Sequence, residues 1–348
     1  MAREFNGIRN QAYDPGSEDE GESEDPGRHI EASDDESDTA GLIELRRPED
    51  FVTHFEERDG RLFHSHGIGL PYPLPVDGSE QRRLDVQHDV ICQVIGANYI
   101  GPVREVLAPI PGRQRLAVDL CTGTGKWVLE MAREFDHVRF RGLDIVPIAS
   151  QYPPTNARFE LHDCNQPLRW RSGHVDLVHA CGVSLAIRDY PRLVDEVARI
   201  LRAGGLFLSY EWGRFLAFHP DLHLATDIPQ EIHRFYDAID EALRLTRGLG
   251  RVAGVVPDWL HQSGLFRDVT AQCYYVPVGD WMPNLEQREI GIAYRDMLVG
   301  YAEAVRPLLR QAEWPEDGVN ELVEGFLRGM RETDGMVSIL YTVHARRI

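Results

Sequence analysis

The chain has 348 residues, 43% apolar and 27% charged, which suits a globular fold of one large domain or two modest ones. No stretch approaches the roughly 18 apolar residues of a membrane span, no apolar run opens the chain as a secretion signal would, and the cysteines form no CxxC pair. The formal charge is −19, with net −10 inside residues 1–41, so a membrane protein, a disulfide scaffold and a nucleic-acid reader are all poorly matched.

In chain order, residues 1–41 combine clustered Asp and Glu with Gly, Ser and Pro, and almost no large apolar groups. Such a segment cannot bury enough surface to offset its ordering entropy, so a disordered acidic tail is expected. Residues 42–112 form an N-terminal lid or cap region. In it Tyr72-Pro-Leu-Pro75 is a stiff extended piece, and Leu84, Ile91, Cys92 and Ile95 recur at helical spacing over about 79–96.

From Arg113 onward short apolar runs alternate with helical stretches. Leu116–Leu120, Val138–Leu143, Arg158–Leu161, Val175–Ala180 and Leu206–Tyr210 are predicted strands of the buried type. The connector 189–203 carries a capping Asp189, a Pro191 at N1 and an apolar face, with Gly204-Gly205 expected to stop the helix. This alternation predicts an α/β, doubly wound parallel sheet. Helices near 228–247, 255–263, 284–309 and 316–332, with strands near 267–276 and 336–344, place helical insertions at about 213–263 and 284–332. They are expected to cover one side of the sheet and wall a substrate cavity.

The segment Asp119-Leu-Cys121-Thr122-Gly123-Thr-Gly125-Lys126 lies between a strand and a helix. Glycines there let a ligand approach the backbone, and the helix N–H groups favour an anion or carboxylate. A P-loop fails because Leu120 and Trp127 stand where Gly and Ser/Thr are required, and a dinucleotide fingerprint fails at Val128. Asp144 ends the next strand and can accept both ribose hydroxyls of an adenosine. Asp163 follows the third strand and can accept the adenine amino group. Three acids at three strand ends outline an adenosine-type cofactor cleft.

This turn, Asp144, Asp163 and the strand Val175-Asp176-Leu-Val-His179-Ala resemble class I S-adenosylmethionine-dependent methyltransferases. The segment Tyr72-Pro-Leu-Pro-Val-Asp77-Gly-Ser-Glu80-Gln-Arg-Arg83-Leu84-Asp-Val-Gln-His88 is similar to the opening motif of the fungal LaeA-like (UMTA-type) group, and the resemblance spans about residues 50–348. It implies a Rossmann-like, mostly parallel sheet whose last strand is antiparallel, with added helices as a cap. It also implies S-adenosyl-L-methionine as cofactor. The contacts it carries over are Asp119, Cys121, Thr122, Gly123 and Gly125; Asp144 and Ile145; Asp163, Cys164 and Asn165; and His179, with Tyr72 and His88 as a lid. Cys121 departs from the glycine usual at its position. Lys126, the only lysine in the chain, replaces an apolar residue and is expected to point away from the cofactor.

Methyl transfer from a sulfonium is an in-line displacement that needs positioning in a dry site, and a base only when the acceptor is protonated. His179 and Glu211, at the ends of successive strands, are the candidate bases. Arg214 is the expected alternative partner of Glu211. Phe235, Tyr236, Trp259, Tyr294 and Tyr301 are candidate walls of the acceptor pocket. Asp176 and the Asp189 loop make no persuasive oxygen-ligand set, so no metal is expected. The resemblance therefore implies a methyltransferase acting on a small secondary-metabolite acceptor, with the cytosol as its expected place of action. The alternative is a LaeA-like regulator acting through nuclear protein partners, with the acidic tail as contact surface, and a nicotinamide oxidoreductase ranks last.

Overall fold

A computed structural model describes residues 53–66, 72–222, 224 and 227–348. The acidic tail at 1–41 and the first part of the 42–112 region lie outside the described residues.

Strands β1 (Phe55–Arg58) and β2 (Arg61–His64) form an antiparallel hairpin. Its two-residue turn is Asp59-Gly60 with φ 52° and 70°, the positive angles that match the twist of paired strands. Helix α1 (Gly78–Ile95) follows. Asp77 caps it by accepting the N–H groups of Ser79 and Glu80, and Gly96 ends it at φ 78°. A short helix α2 (Val103–Val106) leads into the main sheet.

The sheet contains β3 (Arg115–Leu120), β4 (Val138–Asp144), β5 (Ala157–Leu161), β6 (Val175–Cys181), β7 (Leu201–Phe218), β8 (Phe266–Pro277) and β9 (Met336–Arg347). Their order is β5-β4-β3-β6-β7-β9-β8, with β3 to β7 mutually parallel and β9 antiparallel to both its neighbours. The order reverses at β3 and β6, and the crevice there opens at the carboxyl ends of the strands, where such sheets bind ligands. This is the doubly wound, mostly parallel sheet expected from the sequence, with its last strand antiparallel.

Helices α3 (Lys126–Glu134), α4 (Tyr190–Ile200), α5 (Gln230–Arg247), α6 (Val256–Ser263), α7 (Leu285–Ala304), α8 (Arg306–Gln311) and α9 (Glu316–Glu332) complete the described elements. Alternate residues of the strands feed two cores. Ala117, Leu177, Leu208 and Tyr210 pack with α1, α3, α5, α7, α8 and α9, while Val118, Val178 and Phe207 pack with α4 and α6. The added helices thus do not all cover one face, because Val256 and Leu260 of α6 join the core behind α4.

Three local expectations change. The predicted helix over 284–309 is two helices that meet at Val305, since Pro307 lies in the first turn of α8 and its ring cannot continue α7. The fifth strand runs from Leu201 to Phe218, well beyond Tyr210. Gly204-Gly205 does not stop α4 but forms a bulge between the pairs Val175–Leu201 and Leu177–Leu206. Gly204 takes φ 77°, and a Cβ on Gly205 would lie 2.9 Å from the Arg202 carbonyl oxygen.

Candidate active site

One cavity runs from the glycine-rich turn, under α1, to the inner faces of α5 and α7. The turn is built by backbone geometry. Cys121 adopts φ 53°, a left-handed angle that explains why glycine is usual there, and Gly123 follows at φ 57°. The Thr122 N–H donates to the Leu143 carbonyl (2.8 Å), which locks the turn onto β4. Gly125, expected to contact the cofactor, instead shapes the turn. It sits at φ 76° ahead of α3, its Cβ position is only 2.4 Å from the Phe159 ring, and it is not among the lining residues.

Asp144 accepts the N–H of Gly123 (2.8 Å) and of Val146 (3.2 Å). Burial raises its carboxyl to about 6, against the lowering effect of these N–H groups, so acceptor capacity remains for a hydroxyl pair. Ile145, Asp163 and Cys164 line the same end. Asn165 braces the loop: its amide donates to Asp163 (2.9 Å) and the Ala186 carbonyl (2.8 Å), and its oxygen accepts the Arg188 N–H (3.0 Å). The Cys121 thiol is pushed well above the usual range by its contact with the Cys164 thiol and by burial, so Cys121 is not poised as a nucleophile.

α1 lies across this turn. Leu84 reaches 3.5 Å from the Cβ position of Gly123, and the Thr124 hydroxyl donates to Asp85 (2.6 Å). Tyr72 lines the cavity ahead of the helix. His88 reaches the wall too, but its Nε2 is hydrogen-bonded to Glu130 of α3 (2.9 Å), so it is turned to α3 and not laid over the cofactor. Lys126, expected to point away from the cofactor, pairs with Asp89 of α1 and also touches the cavity wall.

The two candidate bases are both occupied. His179 Nδ1 donates to Asp119 Oδ1 (2.7 Å), whose other oxygen accepts the Thr122 hydroxyl (2.6 Å). The ring is 2% exposed, stacked on Trp127 at 4.0 Å and edge-on to Tyr210, and its Nε2 is buried without a hydrogen-bond partner. Asp119 and Trp127 thus hold the ring in place at the wall of the cavity, which His179 lines. Glu211 lies within β7 and not at its end, and its Oε1 accepts the N–H groups of Val183 (3.0 Å) and Ser184 (3.1 Å) and the Tyr190 hydroxyl (3.3 Å). Burial raises it to about 7. The expected Arg214 partner pairs with Asp240 instead (2.6 Å).

The far end of the cavity is aromatic. Trp212 stacks on Tyr294 at 4.8 Å, and Tyr236 and Tyr301 complete the wall. Of the other predicted wall residues, Phe235 stacks on Phe326 in the core and Trp259 packs beside Tyr190 on the opposite face of the sheet. A buried ion pair was not anticipated here. Arg83 holds Glu80 through Nε and Nη2 (2.6 Å at the shortest), donates to Gln87 (3.1 Å), and lies 5.8 Å over the Tyr301 ring. Its sequence signal is the i,i+3 spacing of opposite charges on an otherwise core-facing turn of α1. Among the described residues no helix is long and apolar enough to cross a membrane.

Comparison with known proteins gives consistent matches. Residues 117–205 match the family described as a methyltransferase domain. Over 295 residues the chain is 30% identical to the secondary metabolism regulator laeA of Coprinopsis cinerea, covering 82% of this chain and 72% of that one. Over 260 residues it is 29% identical to the methyltransferase pytC of Aspergillus terreus, covering 73% and 75%. It is 26% identical over 277 residues to the protein-methionine methyltransferase laeA of Emericella nidulans, covering 77% and 70%.

Proposed function

Since the chain belongs to the LaeA-like class I S-adenosylmethionine-dependent methyltransferases, we propose that it methylates a small organic acceptor held in the aromatic chamber beside the cofactor cleft. The observation that carries this reading is the continuity of one cavity from Asp144 and Asp163 to Trp212, Tyr294 and Tyr301. The cofactor cleft has the donor and acceptor set the cofactor needs. Asp144 retains lone pairs for the ribose hydroxyls, Asp163 suits the adenine amino group, and the Cys121–Gly123 backbone leaves room for the methionine end. Bound there, the cofactor supplies an electrophilic methyl group on a sulfonium.

The chain's own residues then position and desolvate. α1 covers the turn through Leu84 and Asp85, and Trp212, Tyr236, Tyr294 and Tyr301 exclude water around the acceptor. Aromatic faces also tolerate the dispersing positive charge of the transition state. Because Glu211 is engaged by Val183, Ser184 and Tyr190 and the His179 ring is only 2% exposed, the reading takes the acceptor atom to bring its own lone pair or to ionise without a side-chain base. An amine, a thioether or an acidic hydroxyl meets that condition. Cytosolic action accompanies the reading, because a diffusing acceptor requires no nuclear import of the enzyme; imaging of a tagged chain tests that.

Calorimetric titration of S-adenosylhomocysteine into the wild type and Asp144→Ala comes first, with binding expected in the wild type and lost in the variant. Extracts supplied with methyl-labelled cofactor then identify the acceptor. Label recovered in the small-molecule fraction supports the proposal. Label recovered only in protein would replace it with the activity named for the Emericella nidulans relative.

A further inference from the structure

On the wall of this cavity, away from the acids of the cofactor cleft, three metal-ligating side chains from two helices converge. His88 and Cys92 are four residues apart on α1, which stacks them on one face one turn apart, and Glu130 reaches across from α3. Their Nε2, Sγ and carboxylate oxygen lie within 4.8 Å of one another. His88 Nε2 is 2.9 Å from Glu130 Oε2 and 3.4 Å from Cys92 Sγ, and Asn98 Oδ1 stands 3.3 Å from the same sulfur.

We propose that His88, Cys92 and Glu130 bind a borderline divalent metal ion, zinc being the best match, which clamps α1 to α3 and presents an open coordination position to the cavity. Donor atoms around a tetrahedral zinc sit about 2.0–2.3 Å from the metal and so roughly 3.3–3.7 Å from each other. The His88–Glu130 pair reaches that spacing by opening a few tenths of an ångström, the His88–Cys92 pair already has it, and all three donors lie within 4.8 Å of one another. One imidazole, one thiolate and one carboxylate form a mixed N/S/O set that favours zinc over magnesium or calcium, and the two anionic ligands balance a charge of +2. Binding forms a metal–sulfur bond and releases the Cys92 thiol proton to solvent. His88, Cys92 and Asn98 all line the cavity, so the fourth position faces Asn98 or a molecule in the chamber. The sequence expectation of no metal rested on the absence of a CxxC pair and of clustered oxygen ligands, and a His–Cys–Glu set drawn from two helices carries neither signature.

The inference does not depend on the identity of the acceptor. Its test uses the full chain, reduced and stripped with a chelator, titrated anaerobically with Co²⁺. One equivalent should generate a thiolate-to-cobalt charge-transfer band together with the intense visible bands of four-coordinate cobalt, and Zn²⁺ should abolish both. Cys92→Ser should lose the charge-transfer band, whereas Cys273→Ser, at an exposed thiol on β8, should keep it. Glu130→Gln should keep the sulfur band while the affinity falls by more than about tenfold. A wild type without the band at excess Co²⁺ would overturn the proposal, as would a band that survives in folded Cys92→Ser. The wild-type spectrum alone decides if that variant does not fold.

Discussion

Asp144 is the residue on which the proposed cofactor contact can be tested. Its folded carboxyl titrates near 6, above the ordinary value of 3.8, because burial disfavours the charge. Ribose hydroxyls donate best to the ionised form, so affinity for S-adenosylhomocysteine should weaken as pH falls through about 6, by up to tenfold per unit. Asp144→Asn should bind roughly 10- to 100-fold more weakly at pH 7.5, through lost charge-assisted hydrogen bonds, and show no such pH step. Calorimetry from pH 5 to 8 checks both. Glu211 behaves differently because it holds a turn. Its folded carboxyl titrates near 7 against 4.5 normally, so ionisation costs the folded state stability as pH rises between those values. Glu211→Gln should therefore gain stability relative to the wild type from pH 5 to 8 in denaturant titrations. His179→Ala should lower stability by roughly 3 kcal/mol, since Asp119 is 4% exposed and loses its charged-group partner. The pH dependence of turnover should keep its midpoint in any His179 variant that folds, and a displaced midpoint would restore the histidine as a base.

At the scale of elements, α1 decides whether the cleft is covered. It rests on the glycine-rich turn through Leu84 and the Asp85–Thr124 hydrogen bond, both on one face of the helix. Asp85→Ala should thus raise the dissociation rate of S-adenosylhomocysteine severalfold in stopped-flow chase experiments, with little change in melting temperature. The helix itself was legible from Leu84, Ile91, Cys92 and Ile95, whose spacing fixes one apolar face. The β1–β2 hairpin was not read from the sequence: Asp59-Gly60 is the turn that strand twist selects, but its strands are only four residues each and the first carries three charged side chains. The split between α7 and α8 was visible as Pro307. The bulge at Gly204-Gly205 was not, because glycine after a helix signals a stop equally well.

At the scale of the whole molecule, every lining residue of the cavity among the described residues falls between Tyr72 and Tyr301. Deleting residues 1–41 removes net −10 of charge and should leave S-adenosylhomocysteine affinity within about twofold at moderate salt, where distant charges are screened. A larger loss in calorimetry would bring the tail into the site. The sequence by itself determined the sheet, since buried strands alternating with capped helices admit few topologies. It also placed Asp119, Asp144 and Asp163 at one cavity, because each lies at or just after the carboxyl end of a strand that faces the crevice. Side-chain roles were decided only by tertiary structure. Whether His179 and Glu211 are free or held depends on Asp119, Trp127, Val183 and Ser184, residues brought to them by neighbouring strands and loops. The same holds for Arg83 against Tyr301 and for Glu130 against His88 and Cys92, which meet only when α1 packs on α7 and α3. Periodicity records which face a residue is on, and packing alone determines what it meets there.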